Sequence, residues 1–359
     1  MAYTTIDDPS AFFQTATYTG TGNANNAITN DGNSNLQPDF IWFKSRDSGH
    51  SHYVVDSSRG RDKGLYTDVT NTEVTSSGST TDCQSFDTDG FTVGTPEDAN
   101  STNSSSSTKV AWQWKANGGT TASNSDGDLT STTQFNSTAK FSIITYTGKD
   151  PIEPLDIGHG MGEAPDVFWV KNRDRAANWG VYHKDLTSPA ENRNLKLNLP
   201  NAEAAESTFW RNEAPTSTII KTGENASVNV ANEKFVVYAW KEVQGFSKFG
   251  KYTGNGNANG TFVYTGFKPA CVITKEISGS GGNWRIFDNA RAGFNEDNYR
   301  LTPNEASAES TAVHLDLLSN GFKFRNTGTS YNGSGDTYIY MAWAENPFVT
   351  STGIPTTAR

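Results

Sequence analysis

Apolar residues in this chain come in short clusters separated by polar, turn-rich stretches, and helical periodicity is nearly absent. Three clusters open on proline and close on lysine: PDFIWFK (38–44), PDVFWVK (165–171) and PACVITK (269–275). They are rich in β-branched and aromatic residues, and proline suits the first position of a strand. Their near-continuous apolar character predicts central strands covered on both faces, or on one face plus a neighbouring module. Three more clusters carry tryptophan: VAWQWK (110–115), VVYAWK (236–241) and IYMAWA (339–344). Over 337–343, Tyr338, Tyr340 and Ala342 alternate with Ile339, Met341 and Trp343, the period of two expected of a half-buried strand. Asp89-Gly90 and Asn320-Gly321 predict hairpin turns. The alanine-rich stretches 201–208 and 304–311 each have room for one helical turn.

These clusters repeat in one order. Tyr-Thr-Gly stands at Tyr18-Thr19-Gly20, Tyr146-Thr147-Gly148 and Tyr252-Thr253-Gly254, each followed by a proline cluster and then a tryptophan cluster. An asparagine lies eleven residues before each of Trp114, Trp240 and Trp343, at Asn103, Asn229 and Asn332. Ala-Glu-Ser-Thr occurs at 205–208 and again at 308–311. A repeat of this length is a small domain, not a solenoid unit. Many short strands with frequent turns predict an all-β chain of three tandem antiparallel β-sandwich modules of jelly-roll or concanavalin-like type. The expected modules span 1–117, 140–244 and 245–348, with a Ser/Thr/Gly/Asn-rich linker over 118–139 and a C-terminal arm over 349–359. The long linker predicts a loosely tethered first module, and the short joint at 242–245 a rigid pair of the other two.

Composition narrows the function. Mean hydropathy is −0.62, yet nine Trp, thirteen Tyr and twenty Phe argue for packed cores. The net charge of −10 argues against a nucleic-acid partner and against an anionic membrane surface. No apolar stretch approaches the length of a membrane-spanning helix. Cys83 and Cys271 sit at non-equivalent positions, which predicts two buried thiols and no disulfide framework. The N-terminal segment MAYTTIDDPSAFF lacks the pattern of a secretory signal.

The segments FSKFGKYTGNGNANGTFVYTGFKPACVITK (246–275), NWRIFDNAR (283–291), LDLLSNGFKFR (315–325) and YIYMAWAENPF (338–348) resemble a recurrent module of tailed-bacteriophage virion proteins, common in marine and cyanobacterial phages. GEAPDVFWVKNRD (162–174), NWGVYHKDL (178–186) and STFWRNEAPTST (207–218) extend the resemblance to the middle repeat. It implies a non-enzymatic virion structural protein, made in the host cytoplasm and carried on the particle surface as a tail-fibre or tail-appendage component. Its implied partners are other virion proteins, further copies of itself (a trimer favoured) and a host surface glycan. The alternatives are a capsid decoration or adaptor protein with no receptor and, further off, a glycan-cleaving enzyme.

The residues themselves supply no catalytic constellation. His50, His52, His159, His183 and His314 form no metal-ligand pattern; His50 and His52 would share a face were their segment a strand, but no third ligand is nearby in sequence, and a solvated loop accounts for them better. Asp82, Asp87 and Asp89, with Glu97 and Asp98, lack the spacing of a calcium loop and suit turns. A glycosidase pair is defined by separation in space, and no carboxylate recurs in all three copies. No metal or other cofactor is assigned. Binding candidates are the tryptophans outside the tryptophan strands: Trp179 and Trp284 at equivalent positions, and Trp210 in a loop-like insert. An exposed indole offers a flat face to a sugar ring. A tryptophan repeated between modules also serves as core, and both readings stand for Trp179 and Trp284.

Overall fold

The computed structural model describes residues 2–76, 82–95, 102–149, 153–292, 295 and 297–356. The chain is almost entirely β. Each tryptophan strand (Thr108–Trp114, Lys234–Trp240, Thr337–Pro347) lies between a Tyr-Thr-Gly strand (Phe13–Thr19, Phe141–Thr147, Ser247–Thr253) and a proline-cluster strand (Phe40–Ser45, Val167–Asn172, Phe267–Glu276). All six pairings are antiparallel. Trp114 faces Phe13 and Phe40, Trp240 faces Phe141 and Val167, and Trp343 faces Ser247 and Cys271. The next strand out is Tyr53–Asp56, Gly180–His183 or Arg285–Asp288. The three repeats thus build three corresponding inner sheets, and outer sheets cover them in a sandwich-like arrangement.

The repeated signature holds each inner sheet to the loop that precedes its tryptophan strand. Tyr18, Tyr146 and Tyr252 donate their hydroxyls to the carbonyls of Thr102, Val228 and Tyr331, each the residue just before the repeated asparagine. Asn103, Asn229 and Asn332 are fully buried and donate to backbone carbonyls across the loop. The glycine is required by close approach. A Cβ on Gly20, Gly148 or Gly254 would lie 2.2, 2.1 or 2.2 Å from the carbonyl oxygen of Ser104, Val230 or Gly333.

The alternation in the third tryptophan strand separates two cores and does not divide core from solvent. Tyr338, Tyr340 and Ala342 pack with Phe322 and Phe324 of the outer sheet. Ile339, Met341 and Trp343 join a cluster that also contains Trp112, Trp114, Trp169 and Trp240 from the other two repeats. The half-buried strand is therefore buried on both faces. At its centre Trp114, Trp240 and Trp343 meet, with ring centroids 5.1, 6.1 and 6.3 Å apart.

Further expectations change. Residues 118–139 do not form a free linker: Ala122–Asn124 and Ser131–Asn136 extend the second inner sheet as antiparallel strands. Gln134 in that segment is buried and bonds Ser57 and Ser58 of the first repeat. The first repeat is not loosely tethered either, because its inner face contributes to the shared core. The helical turn at the end of 201–208 begins only at Ser207 and runs Ser207–Trp210, where it buries Phe209 and Trp210. Its counterpart opens a strand, Ser310–Leu318, whose Ser310 pairs with Arg300. The predicted hairpin turns are present, pairing Asp87 with Gly90 and Leu318 with Gly321.

Candidate functional site

Several buried polar side chains lie in the seams between repeats, where they recur in a closed cycle. Lys171 Nζ donates to Thr70 O of the first repeat (3.0 Å), Lys275 Nζ to Pro200 O of the second (3.0 Å), and Lys44 Nζ to Ala306 O of the third (3.1 Å). Burial pushes these ammonium groups down to about 8 for Lys171 and Lys44 and about 7 for Lys275. The lysine that closes each proline cluster is thus an interior cap for its neighbour's backbone.

Trp179 and Trp284 occupy the same cycle. Trp179 Nε1 donates to Tyr66 O (2.8 Å) and Trp284 Nε1 to Lys196 O (3.1 Å), each in the preceding repeat. Both indoles are buried, at 0% and 1% exposure. Trp210, also 1% exposed, packs edge-on to Phe168 at 4.9 Å. Gly180 makes room for the adjacent Phe209, whose ring lies 2.8 Å from where a Cβ would stand. The three tryptophans expected to meet a sugar therefore present no face to solvent. The core reading holds for Trp179 and Trp284, and the loop-like sequence around Trp210 conceals a short helix that turns the ring inward.

His52 takes the position of Trp179 and Trp284 in the first repeat. It is fully buried and stacks parallel to Trp112, with centroids 6.4 Å apart. Burial holds its pKa well below the usual histidine range. The half-buried His50 is not joined to it in a metal site: among the described residues no group of three His, Cys, Asp or Glu side chains is placed to hold a metal ion. Asp87 and Asp89 accept bonds from Thr92 Oγ1 and the Leu36 amide, as turn residues do, whereas Glu97 and Asp98 lie outside the described residues.

Carboxylates also reach across the seams. Asp56, bonded to Arg59, accepts the Tyr238 hydroxyl (2.7 Å) from the second repeat. Asp288, bonded to Arg291, accepts Trp112 Nε1 (2.9 Å) from the first. The equivalent residue in the second repeat is His183, whose Nε2 donates to Tyr340 O (3.2 Å) of the third. These groups are fully buried and spent on backbone and neighbouring side chains.

The side chains that do face solvent went unmarked in the sequence. Phe262 and Tyr264 are 45% and 56% exposed, among only four large hydrophobic residues so exposed within the described residues. They project from one face of the short outer strand Phe262–Tyr264, with Val263 turned into the core between them. The strand pairs Phe262 with Lys323 and Tyr264 with Gly321. Lys323 in turn faces Asp316, which is bonded to Arg325 at 2.9 Å. Tyr3 reaches this strand from the N-terminal segment and donates to Gly266 O (2.6 Å). Burial and the Tyr264 hydroxyl push Tyr3 up to about 12. The available signal was Phe-Val-Tyr alternation beside a fourth Tyr-Thr-Gly, at 264–266, which is not a copy of the structural signature.

A family model described as Domain of unknown function (DUF7483) matches residues 8–347. The chain belongs to this family. No curated protein and no solved structure matches it. The DUF7483 match runs through all three repeats, in keeping with a core to which every repeat contributes.

Proposed function

We propose that the chain is a non-catalytic structural protein of a tailed-phage virion, displayed in a tail fibre or tail appendage that contacts the host surface. The phage assignment rests on the sequence resemblance. The observation that favours host contact is the exposed Phe262–Tyr264 pair, two adjacent rings among the four large hydrophobic residues exposed within the described residues. A decoration or adaptor protein buries several hundred Å² or more against neighbours and calls for a broad apolar patch. Two adjacent rings suit a small ligand better. The lack of catalytic activity is supported by the way buried Asp56, Asp288, His183 and the three lysines are committed to the seams. Its partners are other virion proteins and further copies of itself, a trimer favoured, in which a weak site would be multiplied.

Gold-labelled antibodies against the chain, viewed on intact particles by electron microscopy, test this reading. Label at the tail is the expected result. Label spread over the head makes it a decoration protein and overturns the host-contact assignment.

A further inference from the structure

We propose that the outward face of the third repeat's outer sheet binds an acidic saccharide, with a pyranose ring on Phe262 and its carboxylate on Lys323. This rests on the host-contact reading above and names the chemistry of the contact. Phe262 and Lys323 are direct cross-strand partners, which places their Cβ atoms about 5 Å apart. A sugar stacked on the ring thus holds a ring carboxylate within reach of the ammonium group. Tyr264, two residues along the strand and about 7 Å away, takes the next sugar. Opposite Tyr264 stands Gly321, whose missing side chain lets the Phe262 ring lean across the sheet, with its edge 3.1 Å from where a Cβ would stand.

Charge selects the acidic class. Lys323 has no hydrogen bond or ion pair among the described residues. Among the described side chains the face carries Lys323, Arg325 and Asp316, an excess of one positive charge on a chain of net charge −10. Two cations are too few for a nucleic-acid backbone, which is read by extended basic surfaces. Two rings are too small a patch for a stable protein interface. The corresponding positions of the first repeat hold Ala27 opposite Thr92, so the aromatic-cation pair is absent there.

The test is calorimetric titration of the full chain with galacturonate, glucuronate and mannuronate tetramers and with their carboxyl-reduced, neutral counterparts. Binding of at least one acidic tetramer is expected, weaker by about tenfold in Phe262→Ala. Lys323→Gln weakens the acidic tetramer and leaves its neutral counterpart unchanged. Unaltered melting curves show that both variants fold, as surface positions allow. No binding of any acidic tetramer, equal binding of acidic and reduced forms, or wild-type affinity in Phe262→Ala overturns the site. Tail-located label without saccharide binding removes this site and leaves the host-contact reading, whereas head-located label removes that reading while the titration still judges the site.

Discussion

Two of the three seams show which devices hold the repeats together and which are additions. Between the first and second repeats, Lys171 and Trp179 cross, Arg173 pairs with Glu73 at 2.7 Å, and the Asp56–Arg59 pair meets Tyr238. Between the second and third, Lys275 and Trp284 cross in the same way, but Ile277 occupies the place of Arg173 and His183 that of Asp56. Both seams close around the same aromatic centre. The lysine and the indole are therefore the shared minimum, and the ion pairs are local elaborations. That fits the energetics of buried pairs, which cost much when broken and contribute little over an apolar replacement of both partners.

The largest test of this contrast is Arg59→Leu. It leaves Asp56, which has no solvent exposure, without its cation, and a loss of about 3–5 kcal/mol in urea unfolding is expected. His183→Ala, the matching change at the other seam, removes a neutral hydrogen bond and should cost about 1–3 kcal/mol. Equal losses would mean that the two seams do not differ as described.

A second test uses acid. Burial pushes His183 down to about 3 and His314 to about 4, so the folded chain keeps both neutral where the unfolded chain, with histidines near 6.5, takes protons. Stability then falls as pH drops below about 6.5, by up to about 1.4 kcal/mol per unit for each histidine. Urea midpoints measured from pH 7 to pH 5 should show this slope, and His183→Gln should flatten it. An unchanged slope would show that His183 titrates alike in both states.

The smallest effect belongs to Arg173→Ile and Arg46→Ile, which impose the Ile277 arrangement on the other two seams. Each should cost about 1 kcal/mol in the same unfolding assay. The stranded carboxylates keep second partners: Glu73 retains Arg59 at 2.8 Å, and Glu309, which Arg46 pairs with at 2.9 Å across the third seam, retains Arg291 at 3.7 Å. A loss as large as that of Arg59→Leu would make these arginines principal seam contacts.

Local order was readable from the sequence because it rests on local rules. The proline clusters form fully buried strands, and Asp-Gly and Asn-Gly make the turns their backbone freedom suits. The Tyr-Thr-Gly marker and its distant asparagine were visible as a pattern, although their meaning, a hydroxyl and an amide holding one loop, needed three dimensions. What could not be read was how the repeats meet. A period of two reports that a strand has two different faces, and in Thr337–Pro347 the second face meets other repeats instead of water. For the same reason Trp179 and Trp284 resembled binding residues: polar loops flank them in sequence, while the carbonyls they bond belong to a neighbouring repeat. The exposure of Phe262 and Tyr264 is not legible in the sequence, because residue type does not specify which side of an outer strand meets solvent.

The meeting of Trp114, Trp240 and Trp343 also sets a timetable. During synthesis the first two indoles emerge long before the third, and the surface they share stays incomplete until the last tryptophan strand has left the ribosome. Folding of the centre is therefore a late event that joins distant parts of the chain, which makes it slow and exposes apolar surface to aggregation while it waits. A chain interrupted before Trp343 loses more than its third repeat, since it leaves the first two with an open interior.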